Sequence, residues 1–317
     1  MTEAISTESA PDSPPDGASH RPREERPGTT RRPAPWHPRR IGVVAGVWLL
    51  VTVMCAGLLA YGLGPLLESR QQRALLGDFR ARIAEVVGQR QSLFGRVDKP
   101  RAAELGEPVA IIQIPRMRLQ QVVVEGADSE RTQAGPGHVP GTAGPGQPGN
   151  SAVVGRRHGF GAPFRTLDTL RPGDDIIVTT TQGQTLYKVL SVGRANLAVR
   201  DVYASSTDDR LTLVSSWTWT PWERHRSLVV VAKATGLPFP PTPQGARSRH
   251  QDGRHGDPSA VPLMVLYGVL FAGSAVASVL LYRWWLTLST YVLTTPVMVA
   301  LIVLAAEAGT RLLPAWI

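Results

Sequence analysis

Cysteine and lysine are almost missing from this 317-residue chain. The only cysteine, Cys55, lies inside an uncharged apolar run, which excludes an intrachain disulfide, a cysteine metal cluster and a thiol nucleophile outside that run. Three lysines (Lys99, Lys188, Lys233) stand against 31 arginines, and with abundant Ala, Gly and Pro this points to a high-GC coding bias. The net charge of +9 is therefore poor grounds for a nucleic-acid partner, and none is expected. Apolar residues are 43% of the chain but are concentrated in three long uncharged runs, which excludes a plain soluble globule.

The first run, residues 41–67, is 27 residues without a charge. At a rise of about 1.5 Å per residue it is long enough for a hydrocarbon core of about 30 Å, and it is too long and starts too late for a cleavable signal peptide. Residues 259–282 and 286–306 form two further spans, separated by Arg283, Trp284 and Trp285, as in a helical hairpin with an interfacial turn. Arg31, Arg32, Arg39 and Arg40 precede the first span, whereas Glu68 is mixed with Arg70 and Arg73 beyond it. The positive-inside rule then puts the N-terminus in the cytoplasm, the region between the first and second spans outside, and Arg283 back inside. A cell-membrane protein with an extracytoplasmic domain is the expectation.

Residues 1–40 are polar and Pro-rich, with little to bury, and read as a disordered cytoplasmic tail. Within 68–105, Leu75, Leu76, Phe79, Ile83, Val86 and Val87 recur at helical spacing, the pattern of an amphipathic stalk followed by a linker. Residues 237–258 are Pro-rich, then polar, and read as a connector. The folded domain is 106–236. Inside it lie short apolar runs at 109–114, 121–124, 151–154, 175–180, 186–192, 211–214 and 228–232, with turn residues between most of them. Seven or eight short strands without a long helical repeat argue for an all-β, closed or nearly closed barrel.

Several blocks of this domain fall in a familiar order. Ile111-Ile112-Gln113-Ile114-Pro115, Val123-Val124-Glu125-Gly126, Gly135-Pro136-Gly137-His138, Pro148-Gly149-Asn150-Ser151 and Gly161-Ala162-Pro163-Phe164 are followed by Pro172-Gly173-Asp174, by 211–216 and by 226–232. Together they resemble the sortase family, closest to the class E type of high-GC Gram-positive bacteria. The resemblance implies an eight-stranded sortase β-barrel, here flanked by one N-terminal and two C-terminal transmembrane helices. It also implies a membrane-tethered cysteine transpeptidase that cleaves a peptide sorting signal and passes the acyl group to a cell-wall or pilin amine. In such enzymes a Cys attacks as thiolate, a His acts as general acid and base, and an Arg supports the carbonyl or oxyanion.

This sequence departs from the family at those positions. The slot for the family histidine, after Gly155, holds Arg156, and the slot for the cysteine, at the end of Leu211-Thr212-Leu213-Val214-Ser215, holds Ser216. A serine hydroxyl needs a neighbouring base, and a guanidinium cannot serve as one. Arg156 is instead suited to hold a carboxylate or a carbonyl. His158, two residues past the family slot, is the candidate for an unconventional base, and His225 a lesser one. Arg226 is the candidate for the family arginine, with Arg224 as rival; counted back from Ala232, the slot falls on Ser227. Thr212, Trp217, Trp219 and Trp222 are candidates for lining or covering the groove, or for meeting a partner or the bilayer interface, with packing over the barrel's own core as the alternative. His138 reads as a structural turn residue. Asp174-Asp175 and Asp208-Asp209 also read as turn residues rather than a calcium site, and neither cofactor nor metal is expected. The expected function is a catalytically degenerate, peptide- or protein-binding sortase-like protein, with a sorting signal, a surface protein or an active sortase as partner; a serine-type transpeptidase or hydrolase is the alternative.

Overall fold

The alternation of apolar residues in the middle of the chain builds a closed eight-stranded barrel. A computed structural model describes residues 64–91, 101–196, 201–218, 226–246, 251–281 and 287–316, with isolated positions between 50 and 62. The readings of a disordered tail over 1–40, of most of the 41–67 span and of the Arg283–Trp285 turn lie outside these residues. In chain order the elements are α1 (Gly64–Gln91), β1 (Pro108–Ile114), β2 (Leu119–Glu125), β3 (Gly137–His138), β4 (Asn150–Val154), β5 (Asp175–Thr179), β6 (Gln184–Asn196), β7 (Arg210–Ser216), β8 (Arg226–Ala234), α2 (Ala260–Leu281) and α3 (Thr287–Arg311).

Around the barrel the strands run β1-β2-β3-β4-β7-β8-β6-β5. The pairs β2–β3 and β4–β7 are parallel and the other six antiparallel. Because side chains alternate along a strand, each strand divides between two faces. Val153, Leu211, Leu213, Leu228 and Val230 point into the barrel core with Ile112, Ile114, Phe164 and Tyr187. Ala152, Val154, Val214 and Val229 form a second apolar surface on the outside.

Two segments expected to stand apart from the barrel pack against it, and so does the segment that follows α3. Helix α1 is docked rather than a free stalk: Phe79 is fully buried against Ile111 and Val122, flanked by Leu75, Leu76 and Ile83. The Gln72 amide clamps β2 by accepting from the Val122 N–H at 2.8 Å and donating to the Val122 carbonyl at 3.1 Å. The Pro-rich segment is seated too, with the Phe239 N–H donating to the Gly146 carbonyl at 2.8 Å and Thr242 bonded to Gln147. Beyond α3, residues 312–316 return to the barrel surface, where Trp316 is fully buried. Helices α2 and α3 are long and apolar enough to cross a membrane. Many of their large side chains are exposed to the surroundings, Val265, Val269 and Val276 among them, as lipid-facing residues would be. The sequence reading ended the third span at 306, whereas α3 continues to Arg311.

Candidate functional site

The site is built where β4 and β7 end side by side. Their parallel register closes at Val154–Val214, and the Gly155 N–H still donates to the Val214 carbonyl at 3.0 Å. Gly155 has no room for a side chain, since a Cβ would come within 2.4 Å of the Phe164 ring. Two positions past the last paired residues come Arg156 on one strand and Ser216 on the other. Asn150 anchors the opposite end of the pair: its amide donates to the carbonyls of Val202 and Ala204 at 3.0 and 2.9 Å and accepts from the Thr212 hydroxyl at 2.7 Å. Thr212 is thus buried and committed to Asn150, which corrects the expectation that it lines a groove.

Arg156 is buried, and one of its terminal nitrogens donates to the Ser129 carbonyl at 2.8 Å and the Ser129 hydroxyl at 2.9 Å. Its guanidinium lies 5.0 Å from the Phe160 ring centre. Burial pushes its pKa down to about 10, so it is still charged at neutral pH. The carbonyl that Arg156 was expected to hold is therefore the chain's own. Ser129 passes the link on, its hydroxyl donating to the Thr310 carbonyl near the end of α3 at 3.2 Å.

Ser216 is buried and donates its hydroxyl to the Thr218 carbonyl. Across the β7–β8 pair, its register partner is Ser227, whose hydroxyl is bonded to the Ala195 carbonyl at 3.4 Å. Arg226, the preferred candidate from the sequence, falls one residue away and, by strand alternation, on the opposite face; its side chain is exposed. His158 is half-buried, and its pKa is lowered from the ordinary value first by burial and then by the charges of Arg157 and Arg165. Trp217 packs at the rim of the barrel core, with the Arg194 guanidinium 3.5 Å and the Arg157 guanidinium 5.8 Å from its ring centre. Trp219, Trp222, Arg224 and His225 lie outside the described residues.

His138 is buried in strand β3 rather than in a turn, with Nδ1 2.7 Å from a Glu125 carboxylate oxygen and Nε2 3.0 Å from the Ala143 carbonyl. Asp174 caps a turn by accepting from the Arg171 N–H at 2.8 Å. Among the described residues no cluster of three or more His, Cys, Asp or Glu side chains is arranged to hold a metal.

A family model described as "Sortase domain" matches residues 112–235, which spans the barrel from β1 to the end of β8. The barrel is a sortase domain. Sortase SrtE1 of Streptomyces coelicolor is 32% identical over 100 residues, 29% of this chain and 28% of that protein, so the match spans well under a third of the relative's own length. Among solved structures, the sortase D5 transpeptidase of Clostridium perfringens shares 21% identity with a TM-score of 0.44, covering 53% of this chain and 99% of that one. Sortase E of Streptomyces avermitilis shares 29% identity with a TM-score of 0.37, covering 42% and 91%. Within this sortase domain the residues that sequence reasoning missed are Ser129, Tyr203 and Trp316. None carries a periodic or motif signal, and only tertiary packing brings them to the ends of β4 and β7.

Proposed function

We propose that this protein is a membrane-anchored, extracytoplasmic sortase-fold protein that binds a peptide or protein segment at the former active-site groove without transpeptidation, in a regulatory or scaffolding role beside an active sortase. The observation that carries this reading is Arg156. Acyl transfer by Ser216 needs a base to take the hydroxyl proton, and the position that the resemblance assigns to that base is a buried guanidinium bonded to Ser129. The other two positions agree. The Ser216 hydroxyl donates its hydrogen bond to a backbone carbonyl, and the residue opposite it is Ser227, which brings no charge to an oxyanion. His158 is held toward the neutral form, as a base would be, but the Ser216 hydroxyl is directed at Thr218. The N-terminal span over 41–67 and the cytoplasmic N-terminus are part of this proposal, supported by the charge asymmetry around that run.

The test uses the full chain in lipid nanodiscs with a fluorogenic sorting-signal peptide. No turnover is expected from the unmodified protein, and turnover is expected only after Ser216→Cys, Arg156→His and Ser227→Arg are combined. Cleavage by the unmodified chain that is lost in Ser216→Ala would establish serine-type acyl transfer and overturn the reading.

A further inference from the structure

The outer face of β4, β7 and β8 is covered by the segment that follows α3. Trp316 is fully buried among Ala152, Val154, Val214, Val229 and Tyr203, an apolar seat made by the parallel strands β4 and β7, by β8 and by the loop before β7. The segment is held by its backbone on both sides. The Arg157 N–H donates to the Trp316 carbonyl at 3.0 Å, and the Ala315 N–H donates to the Gly253 carbonyl at 3.0 Å. The loop at 251–256 is shaped for it. Gly253 has φ +77°, and a Cβ there would meet the Trp316 ring at 2.9 Å and Val154 at 3.0 Å. A Cβ at Gly256 would meet the Leu312 carbonyl oxygen at 1.9 Å. The Tyr203 hydroxyl fixes this loop by donating to the Asp252 carbonyl at 2.7 Å.

Recognition through backbone bonds on two sides and a pocket for one aromatic side chain is how a groove takes an extended peptide. One feature makes the occupant replaceable. Among the described residues the buried Trp316 indole N–H has no hydrogen-bond partner, a cost that a competing peptide need not carry. We propose that this face is a peptide groove whose resident ligand is the chain's own segment Leu312–Trp316, and that a peptide supplied in trans binds only when that segment leaves. The inference rests on reading the site as a peptide groove, and it holds whether or not the groove retains chemistry. It gives α2 and α3 a function, because the segment that fills the groove follows directly on α3, whose Thr310 carbonyl accepts from the Ser129 hydroxyl of the barrel.

The test uses the full chain in nanodiscs and a fluorophore-labelled synthetic peptide, Arg-Leu-Leu-Pro-Ala-Trp, followed by anisotropy. Binding to the Trp316→Ala variant at least tenfold tighter than to the unmodified chain is expected. Amide exchange supplies the second measurement: Arg157 and Ala315 should exchange slowly in the unmodified chain and fast in Trp316→Ala, while the β4 and β7 amides stay protected in both. Equal binding to the two proteins, no binding to either while β4 and β7 remain protected, or fast exchange at Arg157 in the unmodified chain would each overturn the proposal. Anisotropy needs no cleavage, so these outcomes are separate from the turnover that would overturn the proposed function.

Discussion

The two faces of β7 follow different rules. The inward residues Leu211 and Leu213 join a sealed apolar core in which size and shape are what count. Of the outward residues, Thr212 and Val214 meet partners from far along the chain, Asn150 and the Trp316 seat, while Ser216 is bonded locally to the Thr218 carbonyl. The inner face keeps the barrel closed whatever the outer face does. On the proposed reading, substitutions at Arg156, Ser216 and Ser227 change the site while the strand order stays intact.

The largest test of that separation is Leu213→Ala. Emptying a fully buried leucine should destabilise the domain by about 2–5 kcal/mol, read by denaturant unfolding of the full chain in detergent. The Trp316 seat should survive it until the barrel itself unfolds. Next in size is Asn150→Ala on the outer face, which strands the buried Val202 carbonyl and the buried Thr212 hydroxyl and should cost about 1–3 kcal/mol. It should also speed amide exchange at Tyr203 and in the 251–254 loop, since Tyr203 carries that loop. Arg156→His alone should lose about 1–3 kcal/mol through the abandoned Ser129 bonds and gain no turnover of a sorting-signal peptide. Turnover from that single change would show the outer face to be one substitution from catalysis and would erase the contrast between the faces.

The smallest effect is one of pH. Glu68, buried where α1 meets β2, has its pKa raised to about 7 by burial, partly offset by the bond from the Gln121 amide at 2.6 Å. Unfolded, it ionises near its ordinary value of 4.5. Between these two values the folded state holds the proton more tightly, so stability should fall as pH rises through that window and level off above it. Melting temperatures across the window should slope downward, and Glu68→Gln should flatten the slope.

Much of the barrel was legible because its strands alternate. The run read at 211–214 is the middle of β7, that at 151–154 is β4 less one residue, and that at 228–232 is the middle of β8. Strand β3 was not legible, for two residues carry no period, and His138 was therefore placed in a turn. The slots of Arg156 and Ser216 could be counted from flanking motifs. The choice between Arg226 and Ser227 could not, because a one-residue step swaps the face of a strand and only the pairing with Ser216 distinguishes them. Segments 68–105 and 237–258 were read as spacers because an apolar stripe such as Leu75, Leu76, Phe79 and Ile83 does not name the surface it packs on, and the polar side chains that fix the docking, Gln72 and Gln147, have no signature in composition.

Gln72 has one more consequence. Strand β2 meets β3 through two residue pairs, Val124–Gly137 and Glu125–His138, so among the described residues the backbone of β2 before Val124 has no strand beside it on that side. A bare stretch of this kind invites strand addition from another molecule. By occupying both polar groups of Val122, the Gln72 amide acts as a one-residue false strand and closes that opening. Gln72→Ala should expose that stretch to neighbouring copies, detectable as self-association that rises with protein concentration.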